Sequence, residues 1–251
     1  MKKVLLTCDQ HAGHQGGLTP PAFQYKADDW QLKKYAELQV IVWNWFVKQV
    51  RQIGPVDLHV NVGDGIDGKA PKNAGIELIT TDRYKQCRMA AEGIRLIKTK
   101  KRIIVRGTKY HTGEGENWED VLAGMVDADK VGWHEWADVD GTILDFRHKM
   151  SKAPSAPTKE AIANILWAEK GVQPISDILF RAHVHKFVYR GDARRLVMTL
   201  PCLQAFSEYG VANISDTIDM GMVYVECHKG GFTWRPILMD LRFMAVQPLT
   251  L

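Results

Sequence analysis

Three short apolar runs in the first half of the chain each end in a polar or glycine-containing loop. The runs are KVLLTC, DLHVNV and KRIIVR, at residues 3–8, 57–62 and 101–106, and the loops after them are DQHAGH, GDGIDG and GTKYHTG. Apolar runs of this length, bounded by turn residues, are typical of buried strands. We therefore predict three strands whose carboxyl ends lead into polar loops.

Apolar side chains recur at helical spacing between these runs, in residues 30–53 and 81–98. Asp28 or Asp29 is expected to cap the first helix, because a carboxylate there accepts backbone N–H groups of the first turn. The alternation of strands and helices predicts βαβ units and a largely parallel sheet. The side chains expected on the buried faces are Leu38, Ile41, Val42, Trp45, Phe46, Val50 and Ile53 of the first helix, and Tyr84, Cys87, Ala91, Ile94 and Ile97 of the second.

The second half of the chain has strand-like runs joined by tight turns. The pairs DG, GD and GG divide residues 133–149, 187–200 and 222–239, and each segment is predicted to be a β-hairpin. One helix, around residues 158–170, interrupts them. The whole pattern indicates an α/β fold with two facing sheets and helices outside. We expect one domain over residues 1–251.

Composition limits the class of protein. Of the 251 residues, 45% are hydrophobic and 25% charged, as in soluble globular proteins, and no apolar run approaches the ~20 residues of a membrane span. Asp9 ends the first apolar run too early for a signal peptide, so we interpret that run as a strand and expect no membrane association. The four cysteines are scattered without a CxxC pair, which favours a reducing, cytoplasmic location. The net charge of +4 is compatible with an anionic substrate but singles none out.

Residues with metal-binding chemistry stand at the ends of the predicted strands. Two pairs are spaced i and i+2, so that on an extended chain both members of a pair point to the same side. Two further residues, within GDGID and DFRHKM, also close strand-like runs. Carboxylate and imidazole ligands suit Zn, Mn, Fe or Co better than Ca or Mg. The candidate ligands are Asp9, His11, Asp64, His148, His183 and His185.

The order of these motifs is more informative than any one of them. A single D-x-H or H-x-H arises by chance in many proteins, and GD after a strand is a common turn. Together the motifs resemble those of the calcineurin-like metallophosphoesterase superfamily, which are D-x-H, GD-x-x-D, GNH[DE], a lone H and GH-x-H. The resemblance covers residues 4–186, and we expect the strands after them to complete the second sheet. The matching residues are Asp9, His11, Asp64, Asp67, Gly107, His148, His183 and His185.

Two motifs depart from the family pattern. Ala182 replaces the glycine before H-x-H, and GTKYH replaces GNH after the third strand. The long loop after Gly107 and the segment HKMSKAPSAPTKEA at residues 148–161 resemble phage and prophage members of the superfamily, which would place the protein in a host cytoplasm.

The resemblance implies a four-layer α/β/β/α sandwich, with two mixed sheets and a dinuclear metal centre. Asp64 would bridge two divalent ions, expected to be Mn, with Fe, Zn or Co as alternatives. A hydroxide between the ions would attack phosphorus in line. The implied substrate is a phosphate ester, with phosphodiesterase or nuclease activity first and phosphomonoesterase or protein phosphatase activity second. The ligands implied are Asp9, His11 and His185 for one ion, and His148 and His183 for the other.

The altered third motif leaves the role of His111 open. Thr108 stands where the family has its Asn ligand, and His111 lies two residues later than the family's catalytic histidine. We expect His111 to be the general acid, with metal ligand and plain turn residue as alternatives. Glu114 and Glu116 could orient its imidazole or could simply be solvated. The alteration also keeps open a metal-binding scaffold without catalysis.

Other polar residues have a structural and a functional interpretation. Asp67 could fix the orientation of a ligand or shape its loop. His14 could line the mouth of the site or be an exposed loop residue. We expect the remaining histidines on predicted strands to be structural, namely His59, His134 and His228.

Overall fold

The computed structural model describes residues 1–26, 32–71, 74–113, 115–150, 155–192, 195–206, 217–229 and 231–244. Within these ranges every helix is too short or too polar to cross a lipid bilayer. Short 3-10 helices lie at Pro21–Phe23 and Leu241–Met244. The α-helices are α1 (Lys33–Ile53), α2 (Arg83–Leu96), α3 (Lys109–Thr112), α4 (Trp118–Met125) and α5 (Ala156–Glu169). The strands are β1 (Lys2–Thr7), β2 (Val56–Val62), β3 (Thr99–Val105), β4 (Lys130–Gly132), β5 (His134–Val139), β6 (Thr142–Arg147), β7 (Ile178–Arg181), β8 (Val188–Gly191), β9 (Leu196–Thr199), β10 (Gly221–His228) and β11 (Gly231–Leu238).

The first sheet has the strand order β11-β10-β1-β2-β3-β4 among the described residues. Strands β1 to β4 run parallel, with α1 between β1 and β2 and α2 between β2 and β3, as the alternating pattern predicts. Because parallel strands end at one edge of the sheet, the polar loops that follow β1, β2 and β3 lie together there.

The second sheet has the order β5-β6-β7-β9-β8. Strands β6, β7 and β9 are parallel, and β5 and β8 pair antiparallel with β6 and β9 at the two edges. All three predicted hairpins are confirmed, as β5–β6, β8–β9 and β10–β11.

Strands β8 and β9 complete the second sheet, as expected of the strands after residue 186, but the last hairpin belongs to the first sheet, and for it the expectation is wrong. Strand β10 pairs antiparallel with β1, from Lys2↔Cys227 to Leu6↔Val223. A tight turn determines which two strands form a hairpin. The sheet that the hairpin joins is set by this long-range pairing, for which the local pattern has no signal.

The core between the two sheets is apolar and follows the alternation of each strand. Val4 and Leu6 of β1 lie in the same buried cluster as Phe146 of β6 and Phe180 of β7. Leu5 points to the opposite face, where it packs in the cluster that contains the buried face of α1. With α5 against β8 and β9, these contacts confirm the four-layer arrangement of two mixed sheets between helices.

Some details differ from the sequence predictions. The proposed caps Asp28 and Asp29 lie outside the described residues. Ile41 and Tyr84, expected on buried helix faces, are 41% and 55% exposed, so the apolar stripes are narrower than predicted. Helix α4 was not predicted, because its run of eight residues is too short for a clear periodicity.

Candidate metal centre

The candidate ligands lie in loops that follow four strands of the two sheets. Asp9 and His11 follow β1, and Asp64 follows β2. From the second sheet, His148 comes directly after β6, and the H-x-H pair follows β7. The two sheets therefore face one another with candidate ligands at the same end of each.

The backbone is strained at most of these residues. Nine non-glycine residues in the described ranges have a positive φ, and five of them are candidate ligands. A left-handed conformation costs such a residue on the order of 1–3 kcal/mol and persists only where the surrounding structure imposes it. The five are Asp9, His11, Asp64, His183 and His185, with φ between 44° and 73°.

Backbone hydrogen bonds hold the loops after β1 and β2 side by side. The N–H of Asp9 donates to the Gly63 carbonyl at 2.9 Å, and that of His11 to the Asp64 carbonyl at 3.1 Å. Two glycines permit the close approach of side chains. A Cβ at Gly63 would lie 2.4 Å from His148 Nδ1, and a Cβ at Gly107 would lie 1.9 Å from Asp64 Oδ1.

The ligand atoms form three overlapping groups, within each of which all atoms lie within 4.8 Å of one another. In the first group, Asp9 Oδ1 lies 3.3 Å from His185 Nε2 and 3.8 Å from His11 Nε2. In the second, Asp64 Oδ2 lies 3.0 Å from His148 Nε2. The groups are Asp9–His11–His185, Asp64–His148–His183 and His11–Asp64–His111.

Three imidazoles are oriented in the same way. Nδ1 of His11 is 2.8 Å from Asp67 Oδ1, Nδ1 of His148 is 2.8 Å from the Val62 carbonyl, and Nδ1 of His111 is 2.7 Å from the Asp67 carbonyl. A carbonyl oxygen and an ionised carboxylate only accept, so in each ring Nδ1 is the donor. The lone pair of the neutral ring is therefore on Nε2, which faces the carboxylates.

Protons compensate the buried carboxylates when cations are absent. Burial lowers the pKa of His148, but the Asp64 carboxylate outweighs burial and raises it to about 10. Against the same effect of burial, the hydrogen bond to Asp67 and the nearby carboxylate of Asp9 raise the pKa of His11 to about 9. The pKa of Asp64 is held below its usual range despite burial, chiefly by His148. A divalent cation could take the place of these protons.

The donor set fits a transition-metal ion. Asp9 Oδ1 and His148 Nε2 are buried, and within the described ranges of the chain neither atom has a hydrogen-bond partner. In the neutral ring, with Nδ1 protonated, His148 Nε2 and Asp64 Oδ2 are two acceptors that face each other at 3.0 Å. A proton satisfies both when metal is absent, as the raised pKa of His148 indicates, and a cation could take its place. His11 Nε2 and His185 Nε2 also face each other, at 3.3 Å. Carboxylate oxygen and imidazole nitrogen are ligands that Zn, Mn, Fe and Co accept.

Residues of the altered third motif lie beside Asp64. The N–H of Thr108 donates to Asp64 Oδ1 at 2.7 Å, and its hydroxyl is 3.3 Å from the same oxygen. His111 Nε2 is 3.9 Å from Asp64 Oδ2, and burial lowers the pKa of His111. Glu116 is exposed and pairs with Arg83, and Glu114 lies outside the described residues.

The other polar candidates differ in their burial and in their contacts. Asp67 accepts hydrogen bonds from Nδ1 of both His11 and His111, so it orients the two rings. His14 is buried, and its Nδ1 accepts the N–H of Gly16, so it is not an exposed loop residue. His59 and His134 contact polar side chains within the sheets, and His228 is exposed.

Glu119 is a residue of the site that sequence reasoning missed. Its carboxylate is completely buried and accepts the N–H groups of Gly65 and Gly107. Burial, followed by the charge of Asp64, raises the pKa of Glu119 to about 7. The signal available was slight: an acidic pair before the apolar run VLAGM, typical of a helix start.

No protein-family model and no curated protein matches the sequence. Among solved structures, an archaeal phosphodiesterase is 10% identical, with 94% of this chain and 99% of that chain covered and a TM-score of 0.49. Vps29 of Entamoeba histolytica, in complex with zinc, is 14% identical over 94% of this chain and 98% of that chain, with a TM-score of 0.46. A predicted phosphoesterase of Streptococcus pneumoniae is 10% identical, with 94% and 98% covered and a TM-score of 0.40. At this level of similarity, a function for this chain has to be inferred from the geometry of its own site.

Proposed function

We propose that the chain is a metal-dependent phosphoric ester hydrolase with two divalent ions at this centre. One observation carries the proposal: the buried carboxylates of Asp9 and Asp64 each stand in a group with two imidazoles, whose ligand atoms all lie within 4.8 Å of one another. Mn is the ion that we expect, with Fe, Zn or Co as alternatives. Bound ions would supply Lewis acidity, which neutralises charge on the phosphoryl oxygens and lowers the pKa of a water molecule.

The residues divide into two ligand groups that share one carboxylate. Asp64 belongs to two of the three groups of ligand atoms, which supports it as the bridging ligand. Asp9, His11 and His185 would hold one ion, and His148 and His183 the other. The anchored Nδ1 atoms keep the imidazoles of His11 and His148 from turning away, so that each Nε2 stays available as a ligand.

The geometry of His111 supports the ligand alternative more than the general-acid role. Its Nδ1 donates to the Asp67 carbonyl, and its lowered pKa leaves Nε2 without a proton to transfer at neutral pH. Thr108, in the position of the family Asn, donates to Asp64 instead. Substitution His111→Ala separates the roles: loss of a bound ion indicates a ligand, and a slower rate with both ions retained indicates an acid.

We propose phosphodiesters, including nucleic acid, as the first substrate class, with which the net charge of +4 is compatible. Phosphomonoesters or phosphoproteins are the second. The phage-type origin and the cytoplasmic location stay predictions.

The test is metal-dependent turnover. The protein is stripped with a chelator, restored separately with Mn, Fe, Zn or Co, and assayed on bis-p-nitrophenyl phosphate, p-nitrophenyl phosphate, and single- and double-stranded DNA. Bound metal is counted by elemental analysis. We expect two ions per chain and turnover of the diester, and we expect Asp64→Asn to lower the rate by roughly 10³-fold or more, because the bridging ligand is removed.

The matched control is Asp57→Asn, the same chemical change at the opposite end of β2. Asp57 pairs with Lys100 at the surface, so this variant should keep wild-type turnover. Two bound ions without turnover on any substrate would favour the non-catalytic scaffold. Failure to bind any of the four metals would refute the proposal.

A further inference from the structure

Glu119 is a buried carboxylate in the first turn of α4, and none of the sequence motifs includes it. It is 0% exposed, whereas the next residue, Asp120, is partly exposed and pairs with Arg106 at 2.8 Å. A completely buried acidic side chain is rare unless its oxygens are satisfied by donors. Its partners therefore indicate its role.

Each oxygen of Glu119 accepts a backbone N–H from a different loop of the centre. Oε1 accepts from Gly65 at 3.0 Å, and Oε2 accepts from Gly107. Gly65 directly follows Asp64. Gly107 directly precedes Thr108, which donates its own N–H to Asp64 Oδ1. One carboxylate thus connects the loops on both sides of the central aspartate.

The geometry requires a carboxylate rather than any other polar group. Two N–H donors from two loops need two acceptor oxygens on one side chain, and an amide offers one oxygen and one NH₂ group. In Glu119→Gln, one loop would face a donor instead of an acceptor and would shift. The loops have little room for such a shift, because Gly107 already lies against Asp64 and a Cβ at Gly65 would lie 2.7 Å from Leu122.

We propose that Glu119 is a positioning residue that sets the metal affinity of the centre by holding the Gly65 and Gly107 loops around Asp64. It does not itself bind the ions. The inference rests on the proposed metal function, and it also makes a claim about the metal-free protein. The hydrogen bonds from both glycine N–H groups to Glu119 do not involve a cation, so they can be tested in the metal-free protein.

The experiment compares Glu119→Gln with its neighbour Asp120→Asn, which is the same chemical change on the same helix turn. Mn²⁺ affinity is measured by titration calorimetry, the ligand field by the absorption spectrum of the Co²⁺-loaded protein, and the amide signals by ¹H–¹⁵N NMR without metal. We expect Glu119→Gln to weaken Mn²⁺ binding by roughly 10–100-fold and to change the Co²⁺ spectrum. The Gly65 and Gly107 amide protons should move upfield, and Asp120→Asn should leave all three readouts at wild-type values.

The outcomes separate the two claims. Wild-type metal affinity and an unchanged Co²⁺ spectrum in Glu119→Gln would overturn the inference. A loss of stability in that variant would then mean only that Glu119 stabilises the fold. If wild-type protein bound no metal while the amide signals still moved, the proposed function would fail and the loop contacts would stand. Should Glu119→Gln not fold, Glu119→Asp tests the same point. Aspartate keeps both oxygens on a shorter side chain, so this variant should weaken Mn²⁺ binding by about 10-fold. An unchanged affinity would contradict the inference.

Discussion

The outer helices on the two sides of the molecule are attached to their sheets by different forces. Helix α1 buries apolar side chains, among them Leu38 and Phe46, against the first sheet. Helix α5 buries only Ala156 and Asn164, and its large apolar side chains, such as Leu166, are about half exposed. An apolar stripe thus attaches one helix, and polar contacts attach the other.

The polar attachment of α5 is an ion-pair network close in sequence to the candidate ligands His148 and His183 of the second sheet. Arg181 Nη1 lies 2.5 Å from Asp145 Oδ1, and its Nε lies 3.0 Å from Glu160 Oε2 of α5. Arg147 pairs with the same glutamate at 2.6 Å. Arg147 directly precedes His148, and Arg181 lies two residues before His183. Charges therefore support the part of the site that the second sheet contributes. Apolar packing and backbone hydrogen bonds support the part that the first sheet contributes.

Metal removal should have the largest effect, because the ions would join the two sides. With free ion roughly 1,000-fold above Kd, binding stabilises the folded state by about 4 kcal/mol, so a chelator should lower Tm markedly. The raised pKa values of His11 and His148, about 9 and about 10, mean that both are protonated at pH 7 without metal. Binding must release these protons, and the apparent affinity should rise as pH increases from 7 towards 10.

Scanning calorimetry with and without chelator measures the first effect. Titration calorimetry in buffers of different ionisation enthalpy measures the protons released. A binding enthalpy independent of the buffer would contradict the assignment of these two histidines as ligands.

Substitution Arg181→Met should disrupt the ion-pair network that attaches α5 to the second sheet. It leaves the buried carboxylates of Asp145 and Glu160 without their shared partner, and the loss of one member of a buried ion pair typically costs about 3 kcal/mol or more. Urea unfolding gives the change in free energy. The matched control is Arg242→Met, whose ion pair with Asp240 is exposed and screened by water, so this variant should unfold at the wild-type urea concentration. Equal effects of the two variants would mean that α5 does not depend on the network.

Low pH should destabilise the first sheet through one buried polar residue, His59. His59 of β2 is buried, accepts from Arg102 Nε at Nδ1 and contacts the Thr7 hydroxyl. Burial, followed by the charge of Arg102, lowers its pKa to about 3. The unfolded chain therefore binds the proton first as pH falls below about 6.5, and the folded state loses about 2 kcal/mol by pH 5 from this group.

The variant His59→Gln should remove this part of the pH dependence. Urea unfolding at pH 7 and pH 5, with chelator in all samples, compares it with wild type and with the exposed control His228→Gln. An unchanged difference between the two pH values in His59→Gln would show that His59 is not the group that titrates.

More of the first sheet and its loops could be predicted from the sequence than of the rest of the fold. Strands β1, β2 and β3 and their loops follow from local apolar runs, and parallel strands bring such loops to one edge without further information. The hairpins were also predictable, since their turns are local. The pairing of β10 with β1 depends on residues more than 200 positions apart, such as Lys2 and Cys227, and no local pattern records it.

The supporting contacts of the site were less predictable than its ligands. The order of the motifs along the chain identified the candidate ligands, although each motif alone is common. Glu119 contacts Gly65 from 54 positions away, and Arg181 contacts Asp145 from 36 positions away. A glutamate in a helix and an arginine on a strand are ordinary in sequence, so their burial becomes visible only in the fold.

The smallest effect should come from the apolar face of α5. Leu166→Ala and Leu38→Ala are the same change on α5 and α1, at side chains that are 52% and 7% exposed. Leu38→Ala leaves a cavity in the core beneath α1 and should cost at least about 2 kcal/mol. Leu166→Ala removes atoms already in contact with water and should change stability by no more than about 0.5 kcal/mol. Urea unfolding of both variants measures the contrast, and a large loss in Leu166→Ala would mean that α5 is attached by apolar packing after all.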